Sequence, residues 1–512
     1  MLDEKKKIER VRGMRDVLPD EYRKRKKAWQ IICGVFEQFG YRGIEVPTIE
    51  SIDLHLRKSG EAIREHMYSF KDFGMETLCL RPELTASVVR MFNAELANEQ
   101  LPLKLSYLGP AFRYDRPQKG RYREFTQAGV ELIGGATPEH DAEVIACACA
   151  AMDSLGIKDY KVVIGNIGII LELLSQRKLE EKVKSYIIES LEALSKAEGE
   201  GTKKIEEGLK EIGVSLKELP SEKKELLAAV KELPEAQAQK VIAWVIETIY
   251  GNTGQRRDSG EIAGHLLAKI RRDEQGAQIR ETLGFIEKLT QISGRPPEVF
   301  SQVEALIKEH NLETKPLDEL RLIARYLDYY HIDWSKVEID FGFGRGLQYY
   351  TGMIFEIYCY TENLGESQKQ VCGGGRYDSL ISDLGGPRPV PALGFSFGFE
   401  RLLLAMPDIP KEPELDAFVA PIGGEAELCY ALEVAHQLRQ AGLRTDVGPK
   451  GTSPRALAGM AKRLESRFTL FLGGDELAGK YVTLRDMKAA TQEKCSLEEA
   501  IKIITDGVKS NE

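Results

Sequence analysis

The 512-residue chain is too long for one ordinary hydrophobic core, so we expect about two to four globular domains from its 42% hydrophobic and 29% charged residues. No apolar run approaches the roughly 20 residues of a membrane-spanning helix, and the N-terminal segment carries no secretory signal. We therefore expect a cytoplasmic protein without membrane contact. A net charge of −9 argues against general affinity for nucleic acid, which leaves local basic patches for such a partner.

The first third of the chain alternates helical and strand patterns. Residues 24–41 have apolar side chains at helical spacing, and Gly40 ends this predicted helix. The segment 43–50 is typical of a short strand, and its Pro47 is tolerated at a sheet edge or a subunit contact. Farther on, the eight cysteines include the pair Cys147 and Cys149 in an Ala-rich helical run. These two point to different helix faces, so we expect buried thiols in a reducing compartment rather than a metal site.

More strands follow in the same third. Residues 67–92 predict a strand, a turn, a second strand and a helix that begins near Glu83–Thr85. The segments 101–115 and 125–134 predict two further strands that flank a basic loop. Short strands joined by hairpin-like turns indicate an antiparallel sheet that carries helices.

The pattern changes near residue 172. Residues 173–335 are typical of helix almost throughout, which predicts a helical insertion between two halves of a sheet domain. Its charged faces are solvated or contact RNA. Strand patterns return in 336–410, and a Pro- and acid-rich linker leads to a small α/β unit in 411–512. A basic helix near 453–467 either is solvated or contacts nucleic acid; its cations are Arg455, Lys462, Arg463 and Arg467.

Four separate segments carry side chains that suit one ligand site. Arginines delivered by different strands of a sheet suit a polyphosphate, because guanidinium binds phosphate in a fixed fork. Neighbouring glycines let the backbone and the ligand approach closely. Carboxylates and phenols beside them suit a small polar molecule. The residues concerned are Glu83, Thr85, Arg113, Arg121, Gln127, Glu131, Arg345, Tyr349, Tyr350 and Arg401.

These segments together resemble the histidyl-tRNA synthetases, a family of class II aminoacyl-tRNA synthetases. The sequence GYRGIEVPTIE is similar to motif 1, FRYDRPQKGRYREF with QAGVELIG to motif 2, and ALGFSFGFERL to motif 3. RGLQYYTG and GGGRYD resemble segments particular to the histidine enzymes. The resemblance implies an α/β (α+β) fold with an antiparallel class II sheet. It also implies a catalytic core in 1–172 and 336–410, a helical insertion in 173–335 and an anticodon-binding domain in 411–512.

The resemblance implies activation of histidine with ATP and Mg²⁺ to histidyl-adenylate, transfer to the 3′ end of tRNA-His, and a homodimer. No metal-ligating side chains are implied. The ATP site would contain Arg113, Arg121 and Arg401, and the catalytic residues would be Arg113 and Arg345. The histidine site would contain Glu83, Thr85, Gln127, Glu131, Arg345, Tyr349 and Tyr350. The contacts to the tRNA acceptor end would come from Arg116, Gln118 and Lys119.

The sequence departs from the family pattern at a few positions. Gln348 stands where the family usually has Asp, which puts the catalytic rate in question; Leu84 and Asp115 replace a common Gly and a common Glu. One alternative is a paralogue like the regulatory subunit of ATP phosphoribosyltransferase, which keeps the core without aminoacylation. Another is an RNA-binding or sensor module that keeps the fold. The C-terminal unit and the arginines favour the enzyme.

Overall fold

The computed structural model divides the chain into two compact units, Met1–Pro407 and Asp408–Glu512. The structure describes residues 8–117, 120–177, 179, 181–191, 200–211, 233–250, 259–342, 349–365, 369–408, 413 and 415–509. None of the helices in these ranges combines the length and the apolar character needed to cross a bilayer.

The first unit is built on a nine-stranded sheet in the order β1-β5-β6-β12-β11-β10-β7-β9-β8, with a separate sheet in the order β2-β4-β3. Neighbours from β5 to β7 in the large sheet are antiparallel, as predicted, whereas β1 and β9 join it in parallel. The strands are β1 (Arg42–Gly43), β2 (Ile49–Ser51), β3 (Tyr68–Lys71), β4 (Thr77–Leu80), β5 (Leu103–Phe112), β6 (Glu124–Ile133), β7 (Tyr160–Asn166), β8 (Ser293–Gly294), β9 (Val337–Asp340), β10 (Met353–Cys359), β11 (Gln370–Arg376) and β12 (Ala392–Gly398).

Helices surround this sheet. They are α1 (Pro19–Gln38), α2 (Ile52–Ser59), α3 (Thr85–Met91), α4 (Pro138–Ser154), α5 (Gly168–Gln176), α6 (Glu181–Glu189), α7 (Glu200–Glu211), α8 (Glu235–Tyr250), α9 (Ser259–Thr290), α10 (Glu298–Glu309), α11 (Lys315–Tyr329), α12 (Leu380–Asp383) and α13 (Phe399–Ala405). Short 3₁₀ segments lie at Glu61–His66 and Trp334–Lys336, and a π-helical segment at Phe92–Leu96 continues α3.

Two predicted elements differ from the structure. The helix predicted from residue 24 begins earlier, at Pro19, because a proline in the first turn, followed by Asp20 and Glu21, suits a helix N-terminus. The single strand predicted for 43–50 is wrong. The structure has β1 and β2 there, with Pro47 between them, because proline cannot donate to a strand ladder.

The buried helix α4 holds the two halves of the large sheet together. Asp141 near its N-terminus accepts hydrogen bonds from Nε (3.1 Å) and Nη2 (2.8 Å) of Arg376 on β11. Cys147 and Cys149 on the same helix are buried, as predicted, and burial raises the pKa of both thiols. Within the described ranges, no cluster of three His, Cys, Asp or Glu side chains could hold a metal ion.

The segment 173–335 is helical in its described parts, apart from β8. Its last portion is built into the body of the first unit, because β8 pairs with β9 in the large sheet and α11 packs on α4. Asn166 Nδ2 on β7 also donates a hydrogen bond of 3.0 Å to Pro316 O, at the start of α11. The helices α8 and α9 share a small apolar core of their own, with Ala238, Ile242, Ala263 and Leu267.

The second unit is a small α/β fold, as predicted. Its strands are β13 (Leu415–Pro421), β14 (Thr445–Val447), β15 (Ser466–Leu472), β16 (Val482–Asp486) and β17 (Gln492–Cys495). Its helices are α14 (Glu425–Gln440), α15 (Pro454–Arg463), α16 (Gly474–Gly479) and α17 (Leu497–Lys509). The sheet order is β14-β13-β15-β16-β17; one apolar core lies under α14 and α17 and another under α15.

A glycine substitution on β12 tests how tightly the large sheet is packed. A Cβ at Gly394 would overlap the Val130 carbonyl oxygen and the Glu131 carboxylate on β6, whereas a Cβ at Gly34 of α1 meets nothing within 4 Å. We expect Gly394→Ala to lower the free energy of unfolding by about 1–3 kcal/mol or more. Gly34→Ala should raise it by about 0.5–1 kcal/mol, because alanine favours the helix. Urea unfolding measures both, and equal stability of Gly394→Ala and the unsubstituted protein would contradict this packing.

Candidate active site

A cavity of about 660 Å³ opens on the large sheet of the first unit. Every described residue predicted for the ATP and histidine sites lines it, namely Glu83, Thr85, Arg113, Arg121, Gln127, Glu131, Tyr349, Tyr350 and Arg401. Arg116 is exposed and does not line the cavity. Arg345, Gln118 and Lys119, as well as Gln348, lie outside the described residues.

The register of β6 and β12 creates the floor of the cavity. Gln127 and Glu131 lie four residues apart on β6 and so project to the same face of the sheet. Their partners on β12 are Gly398 and Gly394. Because a Cβ at Gly394 would overlap the Glu131 carboxylate, the lack of a side chain there makes room for this carboxylate.

Glu131 is the most deeply buried carboxylate of the cavity, with 1% of its surface exposed. It accepts a hydrogen bond from Tyr107 OH (3.1 Å) and another from Tyr377 OH. Burial raises the pKa of Glu131 to about 7, against the opposing effects of Tyr377 and Thr85. A carboxylate held by two phenols in this way can exchange protons with a bound polar ligand near neutral pH.

The phenols that donate to Glu131 were not among the predicted site residues. They belong to Tyr107 and Tyr377, whereas the predicted Tyr349 and Tyr350 line the cavity beside them. The Tyr350 ring lies against that of Tyr349, with ring centroids 4.4 Å apart. Tyr377 lies in the motif GGGRYD, which could have indicated it. Tyr107 alternates with apolar residues on β5 and looks like an ordinary core residue in the sequence.

Glu83 forms a second buried network at the N-terminus of α3. Its Oε2 lies 2.9 Å from Lys58 Nζ, its Oε1 lies 3.5 Å from His55 Nδ1, and its Oε1 accepts a hydrogen bond from Ala86 N (3.1 Å). Burial alone would raise the pKa of Glu83, but Lys58 and His55 outweigh it and hold that pKa well below its usual range. Lys58 and His55 were not predicted from the sequence, although their spacing of three on α2 places them on one helix face.

Three arginines reach the cavity from different parts of the first unit. Arg113, just after β5, donates from Nε to Pro82 O (2.9 Å), and its guanidinium lies over the Phe125 ring. Arg401 of α13 donates to Gln370 O (2.8 Å). Both guanidiniums therefore donate to backbone oxygens, which helps to fix their positions. Arg121, in contrast, forms an ion pair with Asp115 (2.7 Å).

Gln127 and two further carboxylates complete the cavity wall. Gln127 Oε1 accepts from Leu84 N (3.1 Å), and its Nε2 donates to Ser396 Oγ (3.0 Å). Glu400 accepts hydrogen bonds from Arg25 Nη1 and from Thr126 N, each at 2.9 Å. Glu356 on β10 accepts a hydrogen bond from Gln370 Nε2 (2.7 Å). Neither Glu356 nor Glu400 was predicted from the sequence.

Comparison with known proteins identifies the family of the chain. A family model described as histidyl-tRNA synthetase matches residues 13–263 and 255–402, and an anticodon binding domain model matches 416–506. The chain belongs to the histidyl-tRNA synthetase family. These matches confirm the predicted resemblance, fold class and ligase activity.

Individual relatives agree with this over nearly the whole length. A histidine–tRNA ligase from Methanosarcina acetivorans is 34% identical over 97% of this chain and 98% of its own. A histidine–tRNA ligase from Methanocaldococcus jannaschii is 31% identical over 96% of this chain and 98% of its own. The crystal structure of apo S. aureus histidyl-tRNA synthetase is 26% identical, with a TM-score of 0.62, over 97% of this chain and 100% of that one.

The buried state of Glu131 predicts a pH-dependent stability. Its folded pKa of about 7 lies above the ordinary value of 4.5, so the folded protein binds a proton that the unfolded chain has already lost between these values. The stabilising contribution is complete below pH 4.5 and is lost as the pH rises through 7. It amounts to about 3 kcal/mol.

Urea unfolding at pH 5 and pH 8 measures this effect. We expect the unsubstituted protein to lose more stability between these pH values than Glu131→Gln, whose amide does not titrate. Tyr160→Phe is the control for the loss of a hydrogen-bonding group elsewhere in the sheet, since Tyr160 OH donates to Asp153. Identical pH profiles for the unsubstituted protein and Glu131→Gln would show that Glu131 is ionised throughout.

Proposed function

We propose that the cavity is where this ligase activates histidine with ATP, before the histidyl group passes to the 3′ end of tRNA-His. The observation that carries the proposal is the convergence of Arg113, Arg121 and Arg401 on one cavity that also contains the buried Glu131. The arginines suit the phosphates of ATP, and the carboxylate suits a ring with polar nitrogens.

Arg113 and Arg401 bind the ATP phosphates, and Arg113 acts near the α-phosphate. Both guanidiniums are fixed by backbone carbonyl oxygens, so they need little reorganisation when charge develops in the transition state. Arg121 also binds ATP; to do so, it replaces part of its ion pair with Asp115 by a contact with the phosphates. Arg345, carried over from the family resemblance, holds the histidine carboxylate and the α-phosphate.

Glu131 binds the histidine imidazole. A hydrogen-bonded carboxylate rejects side chains without ring nitrogens, because its own oxygens would then lose a partner in a buried site. Tyr107 and Tyr377 fix Glu131, while Tyr349 and Tyr350 form the aromatic wall. The α-amino group is bound by Glu83, Thr85 and Gln127.

The first step requires positioning more than acid–base catalysis. A histidine carboxylate oxygen attacks the α-phosphorus of ATP, the new P–O bond forms, and pyrophosphate leaves with the electrons of the broken bond. Mg²⁺ bound with ATP would share the charge of the phosphates, and its usual ligands are one or two carboxylates together with substrate phosphates. Glu356 could supply such a carboxylate. It accepts a hydrogen bond from the side chain of Gln370, whose backbone oxygen accepts from Arg401.

The tRNA contacts lie outside the cavity. The loop between β5 and β6, with Arg116, Gln118 and Lys119, binds the acceptor end. The basic helix α15 of the second unit binds the anticodon stem with Arg455, Lys462 and Arg463. Arg467, which was predicted on the same helix, lies on β15 instead, because the helix ends at Arg463. This assigns the catalytic core to 1–172 and 336–410, the helical insertion to 173–335 and the anticodon-binding domain to 411–512.

We also propose that the enzyme is a cytoplasmic homodimer. Apolar side chains near the motif 1 segment are exposed in the single chain, among them Ile49, Phe70, Phe73 and Met75. Several large exposed apolar side chains near one segment suit burial against a second copy of the chain.

Arg113→Ala tests the ATP site. We expect histidine-dependent ATP–pyrophosphate exchange to fall about 100- to 1,000-fold, because a fixed cation at the developing charge is lost. Arg116→Ala is the matched control, since Arg116 is exposed outside the cavity. It should leave the exchange unchanged and slow only the charging of tRNA. Equal loss of exchange in both variants would contradict the assignment, and absence of exchange in the unsubstituted enzyme would favour the regulatory-subunit alternative.

Glu131→Gln tests the histidine site. The amide keeps the size of the side chain but cannot match the same set of ring-nitrogen hydrogen bonds. We expect the KM for histidine to rise about 100-fold, with the KM for ATP changed by less than about threefold. Steady-state exchange with each substrate varied in turn measures both constants. Equal changes in the two constants would remove Glu131 from histidine recognition.

A further inference from the structure

A buried ammonium group connects the two sides of the cavity. Lys58 lies on α2 with 3% of its side chain exposed, and its Nζ is 2.9 Å from Glu83 Oε2. The same Nζ lies over the ring of Tyr349, 4.2 Å from the ring centroid. Glu83 belongs to the segment before α3, whereas Tyr349 comes from the second half of the first unit. One cation thus contacts both.

The burial of Lys58 requires these contacts. A lysine ammonium is strongly hydrated in water, so burial without a counter-ion would be costly. Glu83 supplies the counter-ion and Tyr349 supplies the electron-rich face of a ring. Burial by itself would lower the pKa of Lys58, yet Glu83 outweighs this and raises that pKa, so the ammonium stays charged.

We propose that Lys58 is a positioning residue that holds the Glu83 carboxylate in the orientation that receives the α-amino group of the amino acid substrate. The proposal rests on the proposed function and extends it to a residue that does not belong to the predicted site. His55 provides a second partner for Glu83, but its Nδ1 lies farther away, at 3.5 Å. Lys58 therefore makes the closer contact.

Other charged and titratable groups also face Glu83, and they set how large the effect of Lys58 can be. The cations Arg81 and Arg113 stabilise the ionised form of Glu83, whereas the carboxylate of Glu131 destabilises it. The phenol of Tyr107 also lies within electrostatic range of Glu83. Without Lys58, these cations and His55 leave Glu83 ionised near neutral pH, so the loss of Lys58 acts on the orientation of the carboxylate.

Lys58→Gln tests the proposal with a neutral side chain that can still hydrogen-bond to Glu83. Arg57→Gln is the matched control, because Arg57 is the adjacent cation on α2 and is exposed. The KM for histidine and for ATP, and kcat, are measured by ATP–pyrophosphate exchange at pH 6.5, 7.5 and 8.5. Each KM is divided by that of the unsubstituted enzyme, which removes the titration of free histidine.

We expect the histidine KM of Lys58→Gln to be about 10- to 100-fold above that of the unsubstituted enzyme at each pH, because a buried carboxylate that loses its charged partner is no longer held in one orientation. This ratio should not change with pH, since Glu83 stays ionised across the range. The ATP KM and kcat should stay within about threefold. Arg57→Gln should match the unsubstituted enzyme, and Lys58→Arg should restore the histidine KM to within about threefold. A purely structural role would instead raise both KM values or lower kcat.

A ratio near one, parallel changes for histidine and ATP, or failure of Lys58→Arg to restore the histidine KM would each overturn the proposal for Lys58. If Lys58→Gln does not fold, the comparison is made between Lys58→Arg and the unsubstituted enzyme, where a histidine KM changed by more than about threefold contradicts the proposal. Absence of histidine-dependent exchange in the unsubstituted enzyme would refute the proposed function itself, and so the two failures are distinguishable.

Discussion

The cavity depends on one constraint, which is that a carboxylate as deeply buried as Glu131 must have hydrogen-bond partners. Tyr107 from β5 and Tyr377 from the segment after β11 provide them. The absence of a side chain at Gly394, opposite Glu131 on β12, provides the space. Three strands and a loop must therefore be in register before the polar floor of the cavity exists.

The electrostatics of the cavity arise from two kinds of buried pairing. Glu83 is neutralised by Lys58 and stays ionised, whereas Glu131 faces uncharged phenols and has a pKa raised to about 7 by burial. Two carboxylates in one cavity thus have opposite pKa shifts, because one has a cationic partner and the other does not. This difference suits one of them to an ammonium group and the other to a ring nitrogen.

The arginines are arranged differently from the carboxylates. Arg113 and Arg401 each donate to a backbone oxygen, which holds the guanidinium at the cavity. The chain as a whole is acidic, with a net charge of −9. The positive charge at the cavity is therefore local, since it comes from guanidiniums held at particular positions rather than from the protein's overall field.

Local sequence determined much of this protein. Apolar alternation and turn residues predicted the central antiparallel strands and the small α/β unit, because those signals act within a few residues. The motif residues Glu83, Arg113, Glu131 and Arg401 could be named because their types and spacing follow the family pattern. Proline at position 47 was visible as well, but the sequence did not show that it separates two strands belonging to different sheets.

Only the tertiary structure decided which side chains are the hydrogen-bond and ion-pair partners of Glu83 and Glu131. Tyr107 looks like an ordinary core residue in the sequence, and Lys58 looks like one more cation on an exposed helix. Their contacts with Glu131 and Glu83 join residues of separate strands and helices, and no local periodicity encodes such distances. The sequence by itself therefore determined the family, the elements and the principal charged groups. The folding of distant segments onto one sheet decided which of those groups are buried, and with what partners, because burial and pairing are properties of the packed whole.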